Sequence, residues 1–277
     1  MSAPTQQPTI AFIGATGGAT IPALASALLA NHHCTALARN PSKLRDLLID
    51  GRKVPAALVD SHLTIVGGSA SSAAAMRALL AAPHAGPKAL VSFIVSGIGS
   101  LPKMQLNPLK PVTLQDPHVC ETAVNTATEA LRGLLAEGYR APGAADGRPA
   151  MVVISTTGVS RIARDVPVAC MPGYHWLLAV PHVDKRAMED RVVAATKGAD
   201  ATLRGFVAVR PSLLIDGEGK GLASVKVGWE GAEKGADGAP GPAIGYAITR
   251  EDVGAWIWEE AVLKNDKWAN KCVSLTY

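Results

Sequence analysis

A glycine-rich turn near the start of the chain has residue types that can bind a phosphate group. It follows a short apolar run and precedes a helical pattern. Gly14 can make the tight turn after a strand, and Gly17 lets the backbone approach a pyrophosphate. The amide groups that open the next helix would face the phosphate charge. The candidate phosphate contacts are Gly14, Thr16, Gly17, Gly18 and Ala19.

The turn departs from the usual dinucleotide fingerprint at its third glycine position. Its spacing is G-x-x-G-G-x-T, so Thr20 stands where a third glycine normally permits close packing of helix on strand. Glycine clusters at strand ends are also often plain turns. The packing around Thr20 is therefore a structural test of this interpretation.

Two cationic residues follow the second predicted strand, at Arg39 and Lys43. A dinucleotide without a 2′-phosphate prefers an acidic residue at this place, whereas a 2′-phosphate needs cationic donors. Together with the glycine turn, these residues favour NADP(H) over NAD(H) as the cofactor. The alternative is that both are solvated charges near a helix start.

The elements that must position these residues alternate between short apolar runs and longer helical patterns. Strands rich in Val and Ile, linked by helices, predict a doubly wound parallel sheet, an α/β Rossmann architecture. A late helix is expected at 250–264, with Thr249 as N-cap and Asp252 at the capping-box position. The predicted strands are 9–13, 34–38, 63–66, 89–95, 151–155, 205–209 and 271–277, and the other predicted helices are 19–31, 41–49, 72–81, 117–137 and 184–197.

Four segments resemble the atypical short-chain dehydrogenase/reductases of the NmrA-like, NAD(P)-binding group. They are the glycine turn, the segment Ala38-Arg39-Asn40-Pro41-Ser42-Lys43, Ser155-Thr156-Thr157-Gly158, and Arg210-Pro211-Ser212-Leu213-Leu214. The resemblance covers nearly the whole chain. It implies a Rossmann core with the dinucleotide across the strand ends and a small C-terminal region on the substrate side.

The resemblance also assigns roles to residues that follow later strands. It implies that Val95-Ser96-Gly97 contacts the nicotinamide side, and that Ser155, Thr156 or Thr157 faces the reacting centre. It places Arg210, Pro211 and Leu213 around the cofactor and substrate pocket. The further candidate cofactor contacts are Ser96, Ser155, Thr156, Arg210 and Pro211.

The chain departs from this family where the usual general acid would be. No tyrosine is followed four residues later by lysine, and Tyr174 is followed by Leu178. The acidic residue often found after the third strand is absent too, since Gly67-Gly68-Ser69 follow Val66. The segment 181–189 resembles one seen in a subgroup of NmrA-like oxidoreductases. The general acid is therefore sought in that segment.

Lys185 and His182 are the candidate catalytic residues of this segment, with Tyr174 as a less favoured proton donor. An ammonium at Lys185 beside the nicotinamide ribose can donate to its hydroxyls and lower the pKa of a neighbouring acid. The pKa of histidine is near neutrality, so His182 could deliver a proton. Alternatively, His182 caps or packs a helix start, Glu189 forms a helical ion pair with Lys185, and Asp184 is an N-terminal helix charge.

Three irregular stretches are expected to shape the substrate space, at 97–116, 158–173 and 216–245. The first contains Pro102, Leu106 and Leu109 and is predicted to form an apolar lid. The second leads into Tyr174 and Trp176, and the third, rich in Gly, predicts a flexible hairpin region over the site. Apolar and aromatic walls suit a flat hydrophobic substrate, although these residues could instead pack a core or a subunit contact.

Length and composition indicate the number of domains, the classes of partner and the location of the protein. The chain has 277 residues and a formal net charge of +4, so we expect one domain and no nucleic-acid partner. No apolar stretch reaches membrane-spanning length and no signal peptide precedes the turn, which predicts a cytoplasmic protein without a membrane partner. Scattered cysteines predict reduced thiols, and scattered histidines predict no metal site. We expect a monomer or a homodimer.

These observations predict an NADP(H)-dependent oxidoreductase that reduces a carbonyl or conjugated alkene of a hydrophobic, aromatic or polyketide-like small molecule. One alternative is a regulatory protein that senses NADP(H) without turning it over. Another is a redox-neutral dehydratase, isomerase or cyclase on the same scaffold.

Overall fold

An eight-stranded sheet lies at the centre of the computed structural model, which describes residues 7–100, 102–104, 112–232 and 238–277. Its order is β10-β12-β8-β7-β4-β1-β2-β3, and every neighbouring pair is parallel except β10 with β12. The strands are β1 Ile10–Ile13, β2 Cys34–Ala38, β3 Leu63–Gly67, β4 Phe93–Ser96, β5 Pro102–Met104, β6 Val112–Leu114, β7 Ala150–Ile154, β8 Gly205–Pro211, β9 Leu213–Ile215, β10 Lys226–Gly231, β11 Ala247–Thr249 and β12 Lys271–Thr276.

Helices cover both faces of this sheet and make the predicted doubly wound α/β fold. One apolar core lies between the sheet and α1, α2, α3 and α8, and a second lies between the sheet and α4, α5 and α7. The helices are α1 Thr20–Leu29, α2 Pro41–Asp46, α3 Ala56–His62, α4 Ala73–Leu80, α5 Val119–Ala136, α6 Met171–Leu177, α7 Ala179–Ala194, α8 Arg250–Trp256 and α9 Asn265–Trp268, and π-helical segments Leu47–Gly51 and Ile257–Val262 continue α2 and α8.

The strands and longer helices predicted from the sequence are present, with ends that shift by a few residues. The largest shift at a helix start is in α7, which begins at Ala179 rather than Asp184. Pro181 is its third residue, where the missing N–H costs nothing because first-turn amides have no partner within the helix. The earlier start places His182 and Lys185 on the same helix, one turn apart.

Two of the three irregular stretches contain more order than the sequence indicates. Within 216–245, β10 joins the edge of the main sheet, so this stretch differs from the expected flexible hairpin. Within 158–173, the Asp165 carboxylate accepts hydrogen bonds from the amides of Gly158 and Ser160. Leu106 and Leu109 of the predicted apolar lid lie outside the described residues.

Half of the capping box predicted at α8 is confirmed. The Thr249 hydroxyl accepts a hydrogen bond from the Asp252 amide at 3.2 Å. The reciprocal bond is absent, because the Thr249 amide donates to the Tyr277 hydroxyl. The Asp252 carboxylate instead accepts from the amides of Lys220 and Gly221, at 2.7 and 3.1 Å, and from Tyr277. Asp252 thus ties the 216–221 segment to α8.

The described cysteines are free thiols, as predicted. Among the described residues, no helix has the length and apolar character that crossing a membrane requires.

Three histidines that are far apart in sequence stack at the amino edge of the sheet. The His33 ring lies between those of His62 and His84, with centroid distances of 4.6 and 4.2 Å. Each precedes a parallel strand, and parallel strands begin at the same edge, which explains the juxtaposition that the sequence did not reveal. Burial, followed by the neighbouring imidazoles, holds the pKa values of His33 and His84 below the ordinary value of 6.5.

This stack should make stability depend on pH. Because the folded pKa values lie below the unfolded one, the unfolded state binds more protons in acid. The contribution of the neutral histidine stack to the free energy of unfolding is present above about pH 6.5. It is lost as the pH falls through the pKa values that His33 and His84 have in the folded protein. We expect the Tm of the wild type to fall between about pH 7.5 and about pH 5.5, and the Tm of His33→Gln to fall less.

Thermal unfolding followed by circular dichroism at both pH values measures this difference. His118→Gln is the matched control, because this exposed histidine lies outside the stack and should leave the pH dependence unchanged. Equal pH dependence in the wild type and His33→Gln would contradict the prediction.

Candidate functional site

A cavity of about 340 Å³ opens at the carboxyl ends of the central strands. It lies where β1 and β4 are neighbours, the point at which the strand order reverses direction. Open α/β sheets bind ligands at this switch point. The cavity is lined by Gly17, Gly18, Ala19, Thr20, Gly97, Ile98, Gly99, Ile154, Ser155, Thr156, Leu178, Lys185, Pro211, Ser212, Leu213, Leu214 and Arg250.

The glycine turn forms one end of this cavity, and close backbone approaches determine its residues. Gly14 has a φ of +72°, and a Cβ there would lie 2.8 Å from the Ile98 amide nitrogen. A Cβ on Gly97 would lie 1.8 Å from the Thr20 Oγ1 atom. Thr20 at the third glycine position is therefore compatible with close packing, because Gly97 supplies the space that the threonine takes.

Two hydroxyl groups on the cavity wall are buried without a partner among the described residues. The Oγ atoms of Thr20 and Ser155 have no hydrogen-bond partner within the described part of the chain, and the same holds for Ser96 at the end of β4. Buried hydroxyls normally find partners, and an unpartnered one costs free energy. The cavity therefore offers polar groups that a polar ligand can satisfy.

Lys185, on the wall of the same cavity, joins the carboxyl ends of two strands. Its Nζ atom donates to the carbonyl oxygens of Ile154 at 2.7 Å and Ile98 at 3.3 Å. The Cys120 thiol also lies in hydrogen-bond contact with this ammonium, so its three N–H donors are shared among two carbonyl oxygens and a sulfur, which is a weak acceptor. The structure thus brings Lys185, Ser155 and residues of the glycine turn around one cavity.

Residues next to Lys185 have structural partners. The Asp184 carboxylate accepts from the amides of Cys120 and Glu121, each at 3.0 Å, and so caps the start of α5. The expectation that Asp184 is an N-terminal charge of its own helix is wrong, because Asp184 is the sixth residue of α7 and its carboxylate serves α5 instead. Burial raises the pKa of the Cys120 thiol to about 11, so this thiol stays protonated at neutral pH.

Glu189 does not form the helical ion pair with Lys185 that the sequence suggested. Its carboxylate accepts two hydrogen bonds from the Arg210 guanidinium, at 2.9 and 2.7 Å. Arg210 also pairs with Glu230, which accepts from the Ser160 hydroxyl at 2.9 Å. Arg210 is buried in this triad and does not line the cavity. Its contacts join α7, β8 and β10.

The remaining predicted residues occupy different surroundings. Arg39 and Lys43 are exposed beyond the end of β2, outside the cavity wall. His182 is buried in α7 and does not line the cavity. Tyr174 belongs to α6, and its side chain lies outside the described residues. Thr156 and Pro211 line the cavity.

Arg250 is a candidate that the sequence analysis missed. It is the first residue of α8 and lines the cavity beside the glycine turn. Its guanidinium donates to Asp216 at 2.7 Å. The sequence does not show that Arg250 lies beside the turn, because the two are more than 200 residues apart in the chain. The packing of α8 on α1 brings the two together, and no local pattern marks that contact.

Comparison with known proteins agrees with this architecture. Among solved structures, the anaerobilin reductase ChuY from Escherichia coli O157:H7 has a TM-score of 0.57 at 17% identity, over 97% of this chain and 96% of that one. A protein described as an NADH-flavin reductase from Streptococcus pneumoniae has a TM-score of 0.58 at 15% identity, over 97% and 99%. At these identities the likeness shows the fold. No protein-family model matches the chain.

Two curated fungal proteins are similar over nearly the whole length. Reductase pytE from Aspergillus terreus is 43% identical over 99% of each chain. Oxidase pynE from Aspergillus niger is 35% identical over 98% of this chain and 99% of that one. The chain belongs to this family of oxidoreductases.

The contact between Gly97 and Thr20 in this oxidoreductase can be tested by a double-mutant cycle. A methyl group at position 97 collides with the Thr20 hydroxyl, so Gly97→Ala should lower the free energy of unfolding by about 1–3 kcal/mol. Thr20→Ala removes the colliding atom. The double variant should therefore be more stable than the sum of the single effects predicts, by at least about 0.5 kcal/mol.

Urea denaturation of the four proteins gives these free energies. Gly133→Ala is a control for the substitution itself, since a Cβ there would meet only the tip of the Arg77 side chain, at 3.1 Å. Strict additivity of Gly97→Ala and Thr20→Ala would show that the two residues do not compete for the same space.

Proposed function

We propose that this protein is an NADP(H)-dependent oxidoreductase of the atypical short-chain dehydrogenase/reductase type, related to NmrA-like proteins. It reduces a carbonyl or a conjugated alkene of a hydrophobic small molecule. The observation that carries the proposal is one cavity whose wall combines residues of the glycine turn, an ammonium group, and hydroxyls that have no partner among the described residues.

The residues present fit a dinucleotide. The turn from Gly14 to Ala19 lies at the positive end of α1, which favours phosphate groups. The Thr20 and Ile21 amides donate to the Gly17 carbonyl, so the amides of Gly18 and Ala19 are the donors left for a phosphate. Thr20 and Ser155 offer hydroxyls that lack partners among the described residues. Both charged residues on the cavity wall, Lys185 and Arg250, are cations. This polarity suits an anionic cofactor.

Arg39 and Lys43 support NADP(H) over NAD(H). Both are exposed at the end of β2, where the adenosine ribose lies in this fold. No hydrogen bond or ion pair within the described ranges engages the Arg39 guanidinium. Its planar group can therefore bind a 2′-phosphate through two parallel hydrogen bonds.

A bound nicotinamide supplies the hydride, and the protein orients the reactants. Lys185 carries a positive charge between the ends of β4 and β7, where it can stabilise negative charge that develops on a substrate oxygen. Its two carbonyl contacts fix the ammonium before the reaction. His182 and Tyr174 remain the proposed proton donors to be compared with Lys185.

The substrate side of the cavity is apolar. Leu178, Leu213 and Leu214 line it. Leu213 donates its amide to the Tyr246 carbonyl, and the exposed fractions of these two residues are 62% and 66%. Apolar and aromatic surface beside a nicotinamide site suits a flat hydrophobic molecule, aromatic or polyketide-like. The two fungal relatives, named as a reductase and an oxidase, support redox chemistry.

The cofactor assignment is tested by binding. Wild-type protein should enhance or quench NADPH fluorescence, with a tighter Kd for NADPH than for NADH. Arg39→Gln should raise the Kd for NADPH about tenfold and leave that for NADH almost unchanged, because a charged hydrogen bond to the 2′-phosphate is lost. Arg45→Gln is the matched control, since this arginine of α2 is bound to Asp60. Absence of NADPH binding in the wild type would refute the proposed function.

The role of Lys185 is tested by turnover. With phenanthrenequinone or cinnamaldehyde as hydrophobic carbonyl probes, Lys185→Met should slow NADPH oxidation roughly 100-fold or more, because the fixed positive charge is removed. The Kd for NADPH should change far less. Lys226→Met is the control, on an exposed position of β10. Full activity of Lys185→Met would transfer the catalytic role to another residue, with His182→Ala and Tyr174→Phe as the next variants.

A further inference from the structure

Arg250 lies directly over the glycine turn. A Cβ built on Gly18 would be 2.4 Å from the Arg250 Cδ atom, so the arginine stem occupies the space above this glycine. The approach follows from the packing of α8 on α1, where a Cβ on Gly254 would meet Pro22 at 2.6 Å and the Ala19 carbonyl at 2.9 Å. Arg250 is one helical turn before Gly254, so the same contact fixes its position.

The surroundings of Arg250 leave its charge available. Its partner Asp216 has a side chain that is 91% exposed, and the Arg250 side chain is 34% exposed. A surface ion pair of this kind is weak, because water and salt screen both charges. A guanidinium has five N–H donors, and the described residues give this one a single acceptor, Asp216. An anion with two acceptor oxygens can therefore compete for it.

We propose that the Arg250 guanidinium binds the pyrophosphate of the dinucleotide across Gly18. This rests on the proposed function, because it assigns a residue to the same cofactor. The amides of Gly18 and Ala19, which have no acceptor among the described residues, offer donors to the phosphates just before α1, and Arg250 provides a forked cation beside them. The C-terminal part of the chain thereby contributes to the phosphate site.

The position along the strand ends decides which phosphate Arg250 contacts. Arg250 covers Gly18, in the turn that follows β1, where the pyrophosphate lies in this fold. Arg39 follows β2, where the 2′-phosphate lies. Loss of Arg250 should therefore affect ligands that carry a diphosphate, whereas loss of Arg39 should affect ligands that carry a 2′-phosphate.

The test compares Arg250→Gln with the wild type by calorimetric titration with three ligands. NADPH carries both groups, ADP carries the diphosphate alone, and adenosine 2′-monophosphate carries the 2′-phosphate alone. We expect the Kd values for NADPH and ADP to rise roughly tenfold, and the Kd for adenosine 2′-monophosphate to stay the same. Arg132→Gln, an exposed arginine of α5 paired with Glu129, should change none of them.

A second variant separates phosphate binding from a structural role of the ion pair. Asp216→Asn leaves the arginine in place and replaces the competing carboxylate with a neutral amide oxygen, a weaker acceptor for a guanidinium, so the affinity for NADPH and ADP should be unchanged or higher. An affinity lost to the same extent as in Arg250→Gln would overturn the proposal, because the pair itself would then be the requirement.

Two further results would also overturn it. One is an unchanged Kd for NADPH in Arg250→Gln, and the other is an equal loss for adenosine 2′-monophosphate. Both are measured in a protein that binds NADPH, so they are distinct from a failure of the wild type to bind it, which refutes the proposed function.

Discussion

The pairing of β1 with β4 is the constraint on which the rest of the site depends. The register aligns Ile13 with Ser96, so both strands end at the same level. The segments that follow the two strands therefore pass each other in close contact. Backbone without side chains is required there, at Gly14 and Gly97. Because α1 begins at this level too, its first turn faces the space beyond the strand ends. The position of the cavity is a consequence of where these two strands stop.

Local signals predicted the central fold, because each element carries its own pattern. The apolar run before Gly14 and the Val-rich run before Ser155 indicated buried parallel strands, and both are present. β10 was missed because its Lys and Gly residues resemble a loop, and only its pairing with β12 makes it a strand. α3, seven residues long, was too short to show a helical period.

The residues of the site also divide into those that local sequence patterns predicted and those that they did not. The glycine turn was found from its residue types and Lys185 from a segment that resembles a known family, and the structure places both on the wall of one cavity. The partners of Arg210 and the position of Arg250 were not found, since each depends on packing between segments far apart in the chain. An arginine in a family motif was assigned to the cofactor, yet its guanidinium holds two buried carboxylates. Residue type predicts that a charge needs a partner, and the fold decides which partner it has.

The contacts along α7 set a limit on how this chain can change length. Asp184 caps α5, Lys185 holds the ends of β4 and β7, and Glu189 binds Arg210 of β8. A single inserted residue between Lys185 and Glu189 would rotate one side chain about 100° relative to the other. Helix geometry therefore fixes the number of residues from Asp184 to Glu189 in this fold. Relatives that retain these three contacts can vary the residues between them but not their number.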